Sequence, residues 1–250
     1  MLREHLWVKK MQNTLNKKLS KKILILGGSS DIGLELAKIL LNTNCILHLH
    51  YSNNKNFIRK IKSKKIKLIK SNFATIKKNL ILRKFDNNYD IIINLIGYID
   101  NKSFINCSYS DLIKAITINS IIPMLIIKKS VNMMIKKKYG RIINTSSIGV
   151  KFGGGKNTFS YSLSKHINEF IPGFYKTISS KNIFYNVLRI GLTDTKMHKK
   201  IKSKNMLQRI KMIPVKKIAK PLDIANYIKF LCMENNNFIT NEIVNINGGE

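Results

Sequence analysis

The feature that most constrains the fold is a glycine-rich turn between a short apolar strand and a helix. Lys22–Leu26 is a run of isoleucine and leucine that ends at Gly27-Gly28, and apolar residues recur at helical spacing over Asp31–Leu41. Glycine permits a tight turn, and a helix N-terminus offers free N–H groups and a positive dipole end to a pyrophosphate. Such a turn in a strand–helix unit predicts a dinucleotide site. The residues expected to form it are Gly27, Ser29, Ser30, Asp31, Ile32 and Gly33.

The rest of the chain alternates strands and helices. The predicted strands are Cys45–His50, Ile66–Ile69, Asp90–Ile96, Arg141–Ser146, Phe184–Arg189 and Ile243–Ile246, and the further helices are Leu112–Lys136, Ser160–Ile178 and Pro221–Met233. This alternation predicts an α/β fold: a doubly wound, Rossmann-type parallel sheet of about seven strands with helices on both faces. No linker or repeat interrupts residues 21–250, which we expect to form a single domain. Residues 1–20 are basic and irregular, and we expect an extension outside the fold, either an organelle transit peptide or a segment upstream of a start at Met11.

The charge balance is extreme, with 45 Lys and Arg against 13 Asp and Glu and a net charge of +32. It fits either a contact with a polyanion or the lysine, isoleucine and asparagine bias of an AT-rich coding sequence. Because six of the basic residues are arginine and the lysines are scattered, we favour the compositional explanation, with no specific nucleic-acid partner.

Metal and membrane sites are not indicated. The three cysteines lie far apart, and the five histidines show no ligand spacing, so we expect no metal and a reducing, cytoplasmic setting. His48 and His50 share a strand face and are interpreted as packed or surface residues. No unbroken apolar run approaches the roughly 18 residues of a membrane span.

The end of the second strand bears on the nucleotide. An NAD site usually places Asp or Glu there to bind the ribose hydroxyls. Here the run from His50 to Lys55 contains no acid, and Tyr51, Ser52 and Asn53 supply neutral donors instead. This pattern favours NADP(H), with NAD(H) as the alternative.

Tyr161 and Lys165 lie four residues apart at the start of a predicted helix, so they share a face. An ammonium beside a phenol favours the phenolate, which would let Tyr161 exchange a proton with an alcohol or ketone near neutral pH. Ser147, just after the fifth strand, could donate a hydrogen bond to the same substrate oxygen.

Several landmarks in one order give these residues their weight. They are the GGSSDIG turn, the segment from Asn94 to Gly97, Asn119 in the long helix, GRIINTSS ending in Ser147, YSLSK from Tyr161 to Lys165, RIGLTDTKM, and the closing stretch from Ile213 to Gly249. Over Lys21–Gly249 the chain thereby resembles the short-chain dehydrogenase/reductase family, in its single-domain branch of about 250 residues. Within that branch it most resembles 3-oxoacyl-carrier-protein reductases.

The resemblance implies roles for individual residues. Tyr161 would be the general acid/base, and Lys165 would lower the pKa of Tyr161 and bind the nicotinamide ribose. Ser147 would orient the substrate carbonyl, with Ser146 as the alternative serine. Asn119 would hold a water molecule in a proton relay. Further cofactor contacts are implied at Asn72, Phe73, Asn94, Ile96, Gly97, Gly191, Thr193 and Thr195. The chain departs from the family pattern at Leu26, Asp31, Asn72, Leu95-Ile96 and Ile190, where Ile96 could crowd the adenosine and Ile190-Gly191 could loosen a turn beside the nicotinamide.

The substrate loop is expected near residues 192–214, a segment rich in lysine and methionine that suits an anionic thioester or reflects lysine bias alone. The leading hypothesis is a ketone/secondary-alcohol oxidoreductase, with a 3-oxoacyl thioester, a sugar or a small ketone as substrate. A non-catalytic nucleotide-binding regulator or scaffold and a nucleic-acid-binding protein are the alternatives. The resemblance also implies a homodimer or homotetramer.

Overall fold

The computed structural model describes residues 20–53, 60–75, 78–199, 205–233 and 236–250. Its centre is a seven-stranded sheet in the order β3-β2-β1-β4-β5-β6-β7, and all six strand pairs are parallel. The strands are β1 (Lys21–Leu26), β2 (Cys45–Tyr51), β3 (Ile66–Lys70), β4 (Ile91–Asn94), β5 (Gly140–Ser147), β6 (Ile183–Ile190) and β7 (Ile243–Ile246). The predicted single-domain, doubly wound sheet is confirmed.

Helices cover both faces of this sheet. They are α1 (Asp31–Leu41), α2 (Lys78–Arg83), α3 (Tyr109–Ile116), α4 (Ile122–Lys137), α5 (Phe159–Ile167), α6 (Phe174–Ile178), α7 (Lys196–Lys199), α8 (Met206–Met212) and α9 (Pro221–Cys232). Short 3-10 turns occupy Ile148–Phe152 and Ser179–Lys181, and a π-helical turn occupies Thr117–Ile121. Helices α2, α7 and α8 were not predicted; each has seven residues or fewer, too short for a clear helical period.

Two hydrophobic cores lie on opposite faces of the sheet. Ile23 and Ile25 of β1 belong to the core that contains α1 and α9, whereas Leu24 and Leu26 belong to the core that contains α2 and α4. This alternation follows the period of two residues in a strand. Full burial of each such side chain contributes about 1.5–3 kcal/mol, so the two layers fix the sheet that carries the site.

Two predicted helices differ from the structure. The predicted helix Ser160–Ile178 is wrong in its middle, because α5 ends at Ile167 and α6 begins only at Phe174. Pro172 and Gly173 lie in the gap, where proline lacks an N–H donor and clashes with the preceding turn. The predicted helix Leu112–Lys136 extends from α3 through the π-helical turn to α4.

Pro123 gives a physical reason for that π-helical turn. A residue at this position of a regular helix would donate its N–H to the carbonyl of Asn119, four residues earlier, and proline cannot. The N–H of Ile122 instead bonds Thr117 O, five residues back. The Asn119 carbonyl accepts a hydrogen bond from Asn168 Nδ2 at 3.1 Å. Because Pro123 has no N–H to donate, the Asn119 carbonyl is available to the Asn168 side chain.

The helical segment Tyr109–Lys137 is long and apolar enough to cross a membrane by length and composition, since an 18-residue stretch within it has a mean hydropathy of 1.6. It is not an unbroken apolar run, because Asp111, Lys114, Lys128 and Lys129 interrupt it. Helices in the cores of globular proteins meet the same test, and here Ile118, Ile122 and Ile126 are buried against the sheet.

Candidate functional site

The predicted site residues gather at the carboxyl ends of β1, β4 and β5. Strand order reverses between β1 and β4, and ligands of open α/β sheets bind in the crevice at this kind of switch point. The glycine turn follows β1, Gly97 follows β4, and Ser147 is the last residue of β5.

The glycine turn allows close backbone packing. Gly27 has φ +77°, and a Cβ there would lie 2.9 Å from Leu95 O; a Cβ on Gly33 would lie 2.7 Å from Gly27 O. Ser30 caps α1, since its Oγ accepts the N–H of Gly33 at 3.0 Å. Ser29 lies half-buried beside it. Free N–H groups at the start of an 11-residue helix therefore face the crevice.

Two other residues of the turn face elsewhere. Ile32 packs partly buried against the core. Asp31 Oδ2 accepts the backbone N–H of Lys196 at 2.7 Å, and Lys196 Nζ lies 3.9 Å from Asp31 Oδ1. Asp31 thus joins the nucleotide turn to the start of the predicted substrate loop, a contact that sequence reasoning missed.

The end of β2 carries the residues predicted to select the nucleotide. Tyr51 is largely buried in the core, Ser52 is half-buried and Asn53 is exposed. Asn54 and Lys55 lie outside the described residues. Ser52 and Asn53 are therefore the accessible neutral donors here.

The loop after β3 carries Asn72 and Phe73. Asn72 Oδ1 accepts the N–H of Ala74 at 3.0 Å. The Phe73 ring is buried and stacks on the His50 imidazole, with centroids 4.4 Å apart and planes inclined by 15°. His50 also accepts the Gly27 N–H and contacts Ser71 O. Sequence reasoning placed His50 on a strand face without a role.

The segment after β4 is held by buried hydrogen bonds. Asn94 Nδ2 donates to Asn144 Oδ1 at 2.8 Å, and Asn94 Oδ1 accepts the Ile96 N–H at 3.1 Å. The Ile96 side chain packs into the core that contains α4. The concern that Ile96 crowds the adenosine is therefore not supported, since its side chain lies in the core. Gly97 is bordered by Met197 and Tyr161: a Cβ there would lie 2.5 Å from Met197 Cε and 3.7 Å from Tyr161 Cε2.

Tyr161, Lys165 and Ser147 come together as predicted. Tyr161 and Lys165 lie on α5, and the Ser147 side chain lies near enough to the Tyr161 phenol to lower its pKa. The buried Lys165 Nζ donates to Ile96 O at 2.7 Å and to Thr145 O and Oγ1 at 3.0 and 3.2 Å. It lies 5.9 Å from the Tyr161 ring centroid.

The expected lowering of the Tyr161 pKa is wrong in this geometry. Burial raises the pKa of the Tyr161 phenol to about 12, and the Ser147 side chain opposes that rise. Burial lowers the pKa of Lys165 to about 7. The cost of desolvating a charge therefore dominates at both groups, and Tyr161 is a protonated phenol at neutral pH.

The two adjacent serines have different partners. Ser146 Oγ donates to Glu169 Oε1 at 2.7 Å, and Arg189 binds both oxygens of the same carboxylate at 2.7 Å. Ser147 Oγ accepts the Gly149 N–H at 3.2 Å, which leaves its own proton for the tyrosine side of the site. This difference favours Ser147 over Ser146.

Asn119 is fully buried in the π-helical turn. Its Oδ1 accepts the Tyr98 N–H at 2.7 Å, and its Nδ2 donates to Tyr98 O at 3.0 Å and Ser164 Oγ at 2.8 Å. These three hydrogen bonds use both N–H groups of the Asn119 amide and one lone pair of Oδ1. A water molecule could therefore bind this side chain only by donating to the second lone pair of Oδ1. The geometry gives Asn119 a structural role, between the loop after β4 and α5, that the sequence did not predict.

Asn168 is a buried residue that sequence reasoning missed. Its Nδ2 donates to Asn119 O and to Thr145 O, both at 3.1 Å, and Thr145 O is also a partner of Lys165. A signal was available, because Tyr161, Lys165 and Asn168 are spaced four and three residues apart and so share one helix face.

The segment after β6 carries the predicted contacts beside the nicotinamide. The Gly191 N–H donates to Ile246 O at 2.8 Å, and a Cβ on Gly191 would lie 2.6 Å from Asn247 Cα, so this turn is tied down and not loosened. Thr193 is buried with its Oγ1 donating to Gly191 O at 3.1 Å, whereas Thr195 is half-buried. Lys200, Lys202 and Lys204 lie outside the described residues. Within the described ranges, no cluster of three His, Cys, Asp or Glu could hold a metal ion.

Comparison with known families places the chain. Residues 29–250 match the family model described as enoyl-(acyl carrier protein) reductase, a model of the short-chain dehydrogenase/reductase family. The chain is 29% identical over 248 residues to 3-oxoacyl-(acyl-carrier-protein) reductase FabG of Buchnera aphidicola subsp. Baizongia pistaciae (strain Bp), covering 93% of this chain and 98% of that protein. It is 32% identical over 162 residues to the same-named protein of Aquifex aeolicus (strain VF5), an alignment that spans 64% of each chain.

Solved structures agree with this placement. The structure described as ElxO with NADP bound aligns with a TM-score of 0.75 at 26% identity, covering 92% of this chain and 98% of that chain. The chain belongs to the short-chain dehydrogenase/reductase family, and it is an oxidoreductase that acts on a CH–OH or C=O group with a nicotinamide cofactor.

Proposed function

We propose that the protein is an NADPH-dependent reductase that converts the ketone of a 3-oxoacyl thioester into a secondary alcohol, with Tyr161 as general acid. The observation that carries the proposal is the placement of the half-buried Tyr161 on one helix with Lys165, which is anchored at the ends of β4 and β5 at the switch point of the sheet. A ketone reductase needs a proton donor at this point, and a phenol with a pKa of about 12 supplies one at neutral pH.

The residues present fit a dinucleotide. The glycine turn leaves a cradle that a Cβ at Gly27 or Gly33 would fill, and the N-terminus of α1 suits a pyrophosphate. Ser52 and Asn53 at the end of β2 add no carboxylate that would repel a 2′-phosphate, which supports NADP(H) over NAD(H). When bound, the nicotinamide supplies hydride to the carbonyl carbon.

Tyr161 completes the reduction by donating its phenolic proton to the carbonyl oxygen as negative charge develops there. Ser147 orients that oxygen through the hydroxyl proton that its contact with Gly149 leaves available. The phenolate left on Tyr161 is stabilised by the protonated form of Lys165, which a pKa of about 7 leaves present in part at neutral pH. The three oxygens from Ile96 and Thr145 match the three donors of an ammonium and hold Lys165 in place.

The substrate class rests on two supports. The curated relatives carry the name 3-oxoacyl-(acyl-carrier-protein) reductase. The segment that begins at Lys196 is basic, which suits the anionic carrier of an acyl thioester, and Met197 supplies an apolar surface beside Gly97.

The test follows NADPH oxidation by the wild-type protein with a panel of a 3-oxoacyl thioester, a 2-enoyl thioester, a keto sugar and a simple ketone. We expect the 3-oxoacyl thioester to give the highest kcat/KM. The 2-enoyl thioester tests the activity named in the family model. A preference for that compound, or for the sugar, would contradict the assigned substrate class.

NADPH binding without turnover of any compound would instead favour a regulatory or scaffold protein. Binding to duplex DNA that weakens with salt, without nucleotide binding, would favour a nucleic-acid-binding protein.

We also propose a homodimer or homotetramer. Support comes from exposed apolar side chains along α3 and the adjoining turn and helix, namely Tyr109, Ile113, Ile121 and Met124. Light scattering after size-exclusion chromatography should give two or four times the 28.8 kDa chain mass, and a monomer over the working concentration range would contradict the proposal.

A further inference from the structure

His50 is a buried imidazole beneath the glycine turn to which neither the fold nor the proposed chemistry assigns a role. It lies near the end of β2 with 2% of its surface exposed. Its two ring nitrogens contact two different segments: Nδ1 lies 3.2 Å from Gly27 N, and Nε2 lies 2.8 Å from Ser71 O. One ring therefore joins the turn after β1 to the loop after β3.

The partners define the tautomer of this ring. The Gly27 N–H can only donate, so Nδ1 must carry a lone pair, and the Ser71 carbonyl can only accept, so Nε2 must carry the proton. An imidazolium would direct an Nδ1–H at the Gly27 N–H and lose that bond. Burial lowers the pKa of His50 to about 4, aided by the nearby positive charge of Lys84, so the neutral tautomer persists at physiological pH.

The ring also places an aromatic neighbour. Phe73 stacks on His50, and Phe85 lies against both rings, with centroids 5.8 Å from His50 and 6.2 Å from Phe73. The backbone reinforces the arrangement, since the Gly28 N–H donates to His50 O at 2.8 Å. His50 thus sets the position of the glycine turn relative to the loop that carries Asn72.

We propose that His50 is a positioning residue for the nucleotide, which holds the Gly27 turn and the loop from Ser71 to Phe73 in the geometry that binds NADP(H). The inference rests on the proposed function for its ligand. It predicts an effect on nucleotide affinity and none on the chemical step at Tyr161, because Tyr161 lies on α5 near the end of β5, which β1 and β4 separate from β2 in the sheet order.

The chain offers a matched control in His48. It lies two residues earlier on the same strand face, is also buried, and has a pKa lowered to about 4 by burial. Its Nδ1 contacts Tyr89 OH at 2.9 Å, and Asp86 lies 3.7 Å away, so it touches no part of the glycine turn. His48→Phe removes the same chemistry from the same strand.

The experiment measures the Kd for NADPH by fluorescence titration, and kcat with saturating NADPH, for His50→Phe, His50→Gln and His48→Phe. His50→Phe keeps an aromatic ring for stacking but leaves the buried Gly27 N–H without its acceptor, and we expect its Kd to rise about tenfold, equivalent to about 1.4 kcal/mol. His50→Gln restores a donor and an acceptor and should recover part of that loss. In His48→Phe the Kd should stay within about twofold of wild type, and kcat should hold in all three.

A Kd for His50→Phe equal to that of His48→Phe, or a fall in kcat at unchanged Kd, would overturn the inference. Because binding is measured directly, tight NADPH binding without ketone turnover contradicts the proposed reductase activity alone. A wild-type protein that binds no nucleotide overturns both.

If His50→Phe does not fold, the inference is tested by nitrogen NMR of the wild-type protein, which reports the protonation of each imidazole nitrogen. We expect Nδ1 unprotonated at neutral pH in His50, and a shift on addition of NADPH in His50 but not in His48. A protonated Nδ1, or equal shifts in both rings, would overturn the inference.

Discussion

At the glycine turn the groups that face a nucleotide are backbone N–H groups, whereas at the tyrosine site they are side chains held by buried partners. Gly27 and Gly33 contribute by lacking a side chain, and the conformation of their turn depends on His50 below it. Tyr161 and Lys165 contribute functional groups, and Lys165 is fixed by hydrogen bonds to Ile96 after β4 and to Thr145 of β5.

This difference separates the consequences of substitution in the two regions. Added atoms at the turn displace backbone and should weaken nucleotide binding. Loss of the Tyr161 hydroxyl should lower the rate with little change in binding. Substitutions in the two regions test that separation.

Apart from loss of the Tyr161 hydroxyl itself, the largest effect should come from Lys165→Met, which removes the charge that stabilises the Tyr161 phenolate. We expect kcat to fall about 10²–10³-fold, the range for loss of one electrostatic contact to a transition state. Stopped-flow measurement of NADPH oxidation checks it. Lys129→Met is a suitable control, since its Nζ bonds the carbonyls of Leu82 and Phe85 far from the site. Near wild-type kcat in Lys165→Met would remove the assigned role of this lysine.

An intermediate effect should come from Gly33→Ala. The new Cβ would meet Gly27 O at 2.7 Å and Gly28 Cα at 2.9 Å, and both are backbone atoms that cannot rotate away. We expect the Kd for NADPH to rise about tenfold and the protein to lose about 1–3 kcal/mol of stability. Isothermal titration and urea unfolding measure both. Gly173→Ala is the control, because no atom lies within 4 Å of the added Cβ. Equal affinities in the two variants would show that the turn tolerates a side chain.

The smallest effect concerns stability and pH on the nucleotide side. Burial lowers the pKa of His50 from 6.5 to about 4, so the folded state binds its proton less readily than the unfolded state. Stability from this group is present above pH 6.5 and is lost as the pH falls towards 4. Between pH 7 and 5 we expect wild type to lose about 1–2 kcal/mol more than His50→Phe, by urea unfolding. Parallel pH profiles for the two proteins would show that His50 is not buried as a neutral group.

Much of the fold could be predicted because its signals are local. The runs that became β1, β2 and β4 are short, apolar and separated by helical patterns or loops. The gap between α5 and α6 was also readable, since Pro172-Gly173 is a local helix breaker, but the apolar pattern around it was given more weight.

The remainder depended on residues far apart in the chain. Asp31 meets Lys196 across 165 positions, and Asn168 Nδ2 reaches Asn119 O across 49. Motif order brought Ser147, Tyr161 and Lys165 together correctly, but the direction of the Tyr161 pKa depends on burial, which a four-residue spacing does not report.

The most direct test of the account is a single-turnover measurement on Tyr161→Phe with NADPH already bound and a 3-oxoacyl thioester added. The variant keeps the ring against Gly97 and loses only the proton donor, so we expect an unchanged Kd for NADPH and a rate of NADPH oxidation about 10²–10⁴-fold below wild type. Tyr175→Phe, another buried tyrosine, located on α6, should react at the wild-type rate. A Tyr161→Phe rate within about threefold of wild type would contradict the central claim, because the proton would then come from a group other than Tyr161.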